Sequence, residues 1–232
     1  MNVFENNAFK VLMQPFGEYQ TNCYVAFDKN TQESLIIDAG INAINWVLQN
    51  VKKPLAILNT HGHFDHTWSN AALKEHFAQI PLLCPFEDAF MLKSDCFSTG
   101  LPSSTPDILV GAKEGEKIEE KMANIQNLNR KNCYSFNNFS IEFICYPGHT
   151  PGCSVIILSH KEAEEKIMFS GDFIFYRSIG RSDFPYSSSE VMKKSLESFL
   201  NFEENMPVFP GHGGSTDVFS EKENIPYWLA RI

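Results

Sequence analysis

Four side chains able to bind a divalent cation stand within six positions, in the segment Thr60-His61-Gly62-His63-Phe64-Asp65-His66. Imidazole and carboxylate are the donors that hold zinc and similar ions, and a turn at Gly62 lets several of them point the same way. A histidine-rich surface loop or a purification tag would not follow a buried strand or interleave glycine and aspartate. Three further loops each offer one more donor: Tyr146-Pro147-Gly148-His149-Thr150-Pro151-Gly152, Ser170-Gly171-Asp172 and Pro210-Gly211-His212-Gly213-Gly214. Each alone is an ordinary turn, but all three follow apolar runs. Together His61, His63, Asp65, His66, His149, Asp172 and His212 make seven donors, enough for two metal ions. The remaining histidines, His76 and His160, read as incidental.

The elements that must position these loops are legible from periodicity. Residues 9–13, 23–27 and 35–37 read as short strands joined by turns, and residues 41–51 as a helix that Pro54 ends. Leu55-Ala56-Ile57-Leu58 is a continuous apolar run, the pattern of a strand buried on both faces, and it feeds straight into His61. Helices are expected over 67–77, 86–92 and 190–202. Further strands are expected over 81–84, 139–145, 155–159, 167–170 and 207–210, and residues 225–232 read as a short tail. Between 94 and 132 the pattern dissolves into Ser, Gly, Pro, Lys and Glu, as in a flap or solvated excursion. Strands followed by strand and helix alternating in each half indicate mixed α/β layering, in one domain over 1–232 with an insertion or flap at about 94–132.

The composition narrows the partners. The chain has 232 residues, 43% hydrophobic and 20% charged, as expected of a globular protein with a sizeable core. It carries 28 acidic against 19 basic residues, a net charge of −9, and no basic run, so nucleic acid is not an expected partner. Cys23, Cys84, Cys96, Cys133, Cys145 and Cys153 form no CxxC pair and read as free thiols. The first ten residues show neither a basic nor a long apolar region, and runs such as 155–158 are far below the roughly 20 residues of a membrane span. The expectation is a cytoplasmic protein with no membrane association.

The set His61-x-His63-x-Asp65-His66, His149, Asp172 and His212 resembles that of the metallo-β-lactamase superfamily, in the family's order and over most of the chain. The resemblance implies an αββα four-layer sandwich with metals in a cleft at one edge of the sheets. Position by position, His61, His63 and His149 would hold a first metal, Asp65, His66 and His212 a second, and Asp172 would bridge both. Asp38, in Leu35-Ile36-Ile37-Asp38-Ala39-Gly40, falls where the family has an acidic residue that orients a ligand histidine; a helix cap or turn aspartate is the other reading. Within the superfamily, Ile179-Gly180-Arg181-Ser182-Asp183-Phe184-Pro185 and Glu221-Lys222-Glu223-Asn224-Ile225-Pro226 resemble segments of the short glyoxalase II-like hydrolases. With about 20 residues after His212, the expectation is a chain without the helical domain with which full-length glyoxalase II grips glutathione. Arg181 and Asp183 are expected to form a salt bridge bracing the loop beneath Asp172, with substrate contact as the alternative.

The implied chemistry is hydrolysis of a small thioester, of the glutathione type, by a metal-bridging hydroxide. Two dications sharing a water, with Asp172 between them, lower its pKa from about 16 toward about 7. The same ions polarise a carbonyl oxygen. A thiol leaving group of pKa about 8.5 departs as thiolate without a dedicated acid, whereas an amide nitrogen would need a proton from Asp65 or a metal-bound water. The metals are expected to be two divalent ions, zinc first, with iron or manganese accepted by the same donors. Two alternatives use the same fold. One is a persulfide dioxygenase holding a single iron through His61, His149 and Asp172; the other is a lactonase.

Overall fold

Runs with apolar residues at consecutive positions become strands buried on both faces. The computed structural model describes residues 1–232. Its first half forms β1 (Asn2–Glu5), β2 (Phe9–Phe16), β3 (Thr21–Asp28), β4 (Glu33–Ile37), α1 (Ile44–Asn50), β5 (Lys53–Leu58), α2 (Phe64–Thr67), α3 (Asn70–His76), β6 (Leu82–Pro85), α4 (Ala89–Lys93) and β7 (Ile108–Val110). The seven strands form one sheet in sequence order, antiparallel from β1 to β4 and parallel from β4 to β7.

The second half forms β8 (Lys131–Phe136), β9 (Phe139–Cys145), β10 (Ser154–His160), β11 (Ile167–Gly171), β12 (Ile174–Phe175), β13 (Ser178–Ile179), α5 (Ser189–Phe199), β14 (Pro207–Pro210), β15 (Thr216–Asp217) and α6 (Val218–Leu229). Six of these strands make a second sheet in the order β15-β14-β11-β10-β9-β8, in which only β11 and β14 are parallel neighbours. β12 and β13 pair as a separate small hairpin.

The two-residue period of each strand sorts its side chains between two cores. Leu35 and Ile37 of β4 and Ala56 and Leu58 of β5 meet Ile156 and Leu158 of β10 and Phe169 of β11 between the sheets. Their neighbours of opposite parity, Ile36 and Ile57, pack outward on Val47 of α1 and Leu73 of α3. On the far side Val155, Ile157 and Met168 pack on Met192 and Leu196 of α5 and Ile225 of α6. Each fully buried side chain of this kind stabilises the fold by about 1.5–3 kcal/mol through removal from water. The result is a four-layer αββα sandwich.

The expected elements depart from these in several places. The helix expected over 67–77 is broken into α2 and α3, because the Ser69 N–H donates to Ala39 O (2.9 Å) and its hydroxyl to Gly40 O (2.6 Å). Residues 225–229 are no tail: they continue α6, which the Asp217 side chain caps by accepting the Ser220 N–H (3.0 Å) and which carries Pro226 inside it; only 230–232 follow the helix. β1, β7, β8, β12, β13 and β15 are additional strands. Residues 94–132 are largely irregular but tied down: Ser104 N–H reaches Leu92 O, the Asp107 carboxylate accepts Leu82 N–H at 2.7 Å, and Ala123 N–H reaches Tyr186 O. All six cysteines are free, and no helix is long and apolar enough to cross a membrane.

Candidate metal centre

The seven donors gather at one edge of the sandwich because the loops that carry them follow strands running the same way. Asp38 follows β4, Thr60 and His61 follow β5, His149 lies in the loop after β9, Asp172 follows β11 and His212 follows β14. Carboxyl ends of strands in α/β folds are where open loops and helix starts leave room for chemistry.

Donor atoms of His61, His63 and His149 lie within 4.8 Å of one another, and so do those of Asp65, His66 and His212. Asp172 stands between the two groups. Its Oδ2 is 3.4 Å from His149 Nε2 and 3.2 Å from His212 Nε2, and its Oδ1 is 3.3 Å from His66 Nε2. Asp65 Oδ2 is 3.5 Å from both His66 Nε2 and His212 Nε2, and accepts the Thr21 hydroxyl at 2.6 Å. A third grouping, Asp38 with His61 and His66, is equally tight, but the Asp38 oxygens are already engaged on the far side of those rings.

Four imidazoles are held by the nitrogen that faces away from the centre. His66 Nδ1 donates to Asp38 Oδ2 (3.0 Å), His149 Nδ1 to Arg181 O (2.7 Å) and His212 Nδ1 to Tyr19 O (2.9 Å). His61 Nδ1 is 3.0 Å from Thr60 Oγ1, whose single proton goes to Asp38 Oδ2 at 2.7 Å, so Nδ1 is the donor there as well. These partners fix the tautomer that leaves the Nε2 lone pair aimed inward. The Nε2 atoms of His61, His63, His66 and His149, and Asp172 Oδ1, are buried without any hydrogen-bond partner. Buried polar atoms left unpaired cost free energy, and divalent cations are the partners that this donor set fits.

The electrostatics agree. Burial, together with neighbouring imidazoles, holds His61 and His63 well below the ordinary histidine range, and burial lowers His149 despite Asp172. Neutral imidazole is the form a metal requires. Around His66 burial is outweighed by Asp65, Asp172 and Asp38, which push it up, and around His212 it is outweighed by Asp172. The Asp172 carboxyl, which burial alone would raise, is held well below its ordinary range by His66 and His212. Positive charge is thus favoured where the second group of donors meets Asp172.

Several contributors are invisible at the level of motifs. Asp88 joins the two histidine loops: its Oδ2 accepts the Gly62 N–H (2.9 Å) and the Thr150 hydroxyl (2.6 Å), and its Oδ1 the Gly152 N–H (2.6 Å). Burial pushes its carboxyl up to about 7 against the pull of these donors. Thr60 and Thr21 act through hydroxyls. Gly211 is needed for space, since a Cβ there would overlap Asp172 Oδ1 and His66 Cε1. Arg181 and Asp183 do pair, at 2.9 Å, but both are about 65% exposed at the rim of the cleft rather than beneath Asp172. Such an exposed pair adds little rigidity; the bracing comes from the Arg181 carbonyl on His149. His160 is not idle either: it is buried against Asp28, 3.1 Å away.

The family model described as Metallo-beta-lactamase superfamily matches residues 16–212. Hydroxyacylglutathione hydrolase GloC of Haemophilus influenzae is 30% identical over 226 residues, covering 92% of this chain and 95% of its own. Among solved structures, BLEG-1 B3 metallo-beta-lactamase is similar with a TM-score of 0.73 and 27% identity, covering 94% of this chain and 99% of that one. TTHA1623 in a di-iron-bound form is similar with a TM-score of 0.66 and 25% identity, covering 93% and 99%.

Proposed function

Because the chain belongs to the metallo-β-lactamase superfamily, we propose that it is a dinuclear metal-dependent hydrolase of small thioesters, with glutathione as the carrier thiol. The observation that carries this reading is the pair of three-donor groups with Asp172 between them. His61, His63 and His149 would hold one ion, Asp65, His66 and His212 the other, and Asp172 both. Bound there, two divalent cations supply a lowered pKa for water and a Lewis acid for a carbonyl oxygen.

The protein's own groups do the positioning. Asp38, Thr60 and the carbonyls of Arg181 and Tyr19 keep four imidazoles in the inward-facing tautomer. Thr21 fixes Asp65 through Oδ2, and Asp65 lines the cleft. A thiolate leaving group of pKa about 8.5 needs no acid from the protein. GloC supports the thioester class, and the di-iron form of TTHA1623 keeps iron and manganese beside zinc as occupants. Six unpaired cysteines fit a reducing, cytoplasmic setting. A mononuclear iron dioxygenase would leave Asp65, His66 and His212 without a task, which favours the hydrolase.

The test is elemental analysis of protein purified without added metal, paired with a thioester panel. Close to two metals per chain and turnover of glutathione thioesters are expected. One iron per chain with oxygen uptake on a persulfide would give the site to the dioxygenase chemistry instead.

A further inference from the structure

The cleft above the candidate centre has a volume of about 400 Å³, within the roughly 300–1,000 Å³ typical of small-molecule sites. Its walls are Tyr19, Phe64, Phe97, Phe175, Ile179 and Phe184, supplied by the β2–β3 turn, α2, the 94–132 segment, β12, β13 and the loop after β13. Phe97 and Phe184 stand edge-on to the His63 ring, with centroids 5.3 and 5.9 Å away and planes at 79° and 88°. Phe64 continues the wall from Phe97 at 6.3 Å, and Tyr19 from Phe64 at 5.4 Å. Arg181 is the one Lys or Arg on the walls, and its guanidinium is already paired with Asp183 and lies 4.2 Å from the Phe184 ring centre.

Phe97 and Phe184 are half-buried rings at the mouth of a polar floor, with the Arg181 guanidinium over one face of Phe184. Covering them with an apolar group is favourable, and ring edges and faces meeting another ring add to the gain. Glutathione brings two carboxylates and an ammonium, for which this collar offers one cation that is already paired. Its place is therefore outward, toward solvent. A thioester carbonyl over the centre carries the acyl group on one side and the thiol on the other, and with the charged thiol turned outward the acyl group is the one that faces the two rings beside His63.

Resting on the thioester reading, we propose that the cleft selects its substrate by an aromatic acyl group, clamped between Phe97 and Phe184 beside the reacting carbonyl. S-mandeloylglutathione and S-lactoylglutathione isolate this term, because they share the thiol and the α-hydroxyacyl unit and differ only in phenyl for methyl. The metal-loaded protein is expected to favour the mandeloyl thioester at least about tenfold in kcat/KM, the scale on which apolar pockets discriminate. Phe97→Ala and Phe184→Ala are expected to bring that ratio below about threefold on the same scale; a ratio taken within each variant cancels any general loss of activity. A wild-type ratio of one or less overturns the proposal. Calorimetric binding of mandelate and lactate to the metal-loaded wild type is the readout free of turnover, with mandelate expected to bind about tenfold tighter. Equal affinities, or binding of neither acid, overturn the proposal. Tighter mandelate binding without hydrolysis of either thioester leaves the aromatic clamp standing and removes the thioester reading instead.

Discussion

Asp38 and His66 meet at 3.0 Å, Oδ2 to Nδ1, wholly inside the protein, and the same oxygen takes the Thr60 hydroxyl at 2.7 Å. One carboxylate thereby orients a ring in each group of donors, His66 directly and His61 through Thr60. Asp38→Asn keeps the volume, and asparagine tolerates the φ of +50° found here, but it turns one acceptor into a donor. Affinity for at least one metal equivalent is expected to fall about 10–100-fold, the usual effect of losing such a partner. Competition against a chromogenic chelator measures it, and two ions held as tightly as in the wild type would refute the orienting role.

Removal of metal is expected to lower stability as well as activity, because it returns five buried donor atoms to an unpaired state. An ion present at 100 times its dissociation constant stabilises the folded state by about 2.7 kcal/mol. For a chain of this size that is roughly 5–10 °C in Tm. Thermal unfolding with and without chelator, then with zinc, iron or manganese restored, reads the shift. An unchanged midpoint would mean that the donors do not hold a cation in the folded protein.

Asp88 is expected to matter although none of its hydrogen bonds goes to the seven candidate metal ligands. Its three partners are all donors, so Asp88→Asn sets an amide N–H against at least one of them. A buried donor left unmatched costs about 1–3 kcal/mol. Urea unfolding should show that loss, and metal content should fall with it as the His61–His63 and His149 loops separate. Wild-type stability in the variant would show that the tie is dispensable.

Asp28 sets a pH dependence at the opposite edge of the sandwich. Its carboxylate accepts N–H groups of Asn30 (2.8 Å) and Thr31 (2.9 Å), the Asn138 amide (2.8 Å) and the His160 ring (3.1 Å), joining the end of β3 to the β8–β9 turn and the end of β10. Burial raises its pKa, but these donors outweigh burial and hold it below the carboxylate range. A depressed folded value means stabilisation that is complete above the ordinary aspartate pKa of about 3.9 and is lost as pH falls through the folded one. Asp28→Asn is therefore expected to cost about 1–3 kcal/mol at pH 7, with the gap to wild type narrowing below about pH 4. Urea titrations at several pH values check this; a gap independent of pH would contradict it.

The donors were legible in the sequence because they cluster at short spacings just after apolar runs, and those runs announced strands covered on both sides. What stayed hidden depends on partners far along the chain. Nothing near Asp88 points to Gly152, and nothing near Tyr19 shows that its carbonyl will meet His212. Phe97 lies in a stretch with no period, so its place on the cleft wall follows only from the tertiary path. β8 alternates polar and half-buried residues as an edge strand does, and α6 hides behind Pro226. Arg181 and Asp183 were legible as a pair, but their exposure was not.

Every strand of the first sheet comes from residues before 111 and every strand of the second from residues after 130. His61, His63, Asp65 and His66 therefore sit on one stretch of polypeptide and His149, Asp172 and His212 on another, joined through an exposed turn at Gly115, where a side chain would meet open space. A break there makes two fragments, neither with a full cation cage. Turnover by co-expressed pieces would report directly on their reunion, which makes the centre a built-in sensor of fragment complementation.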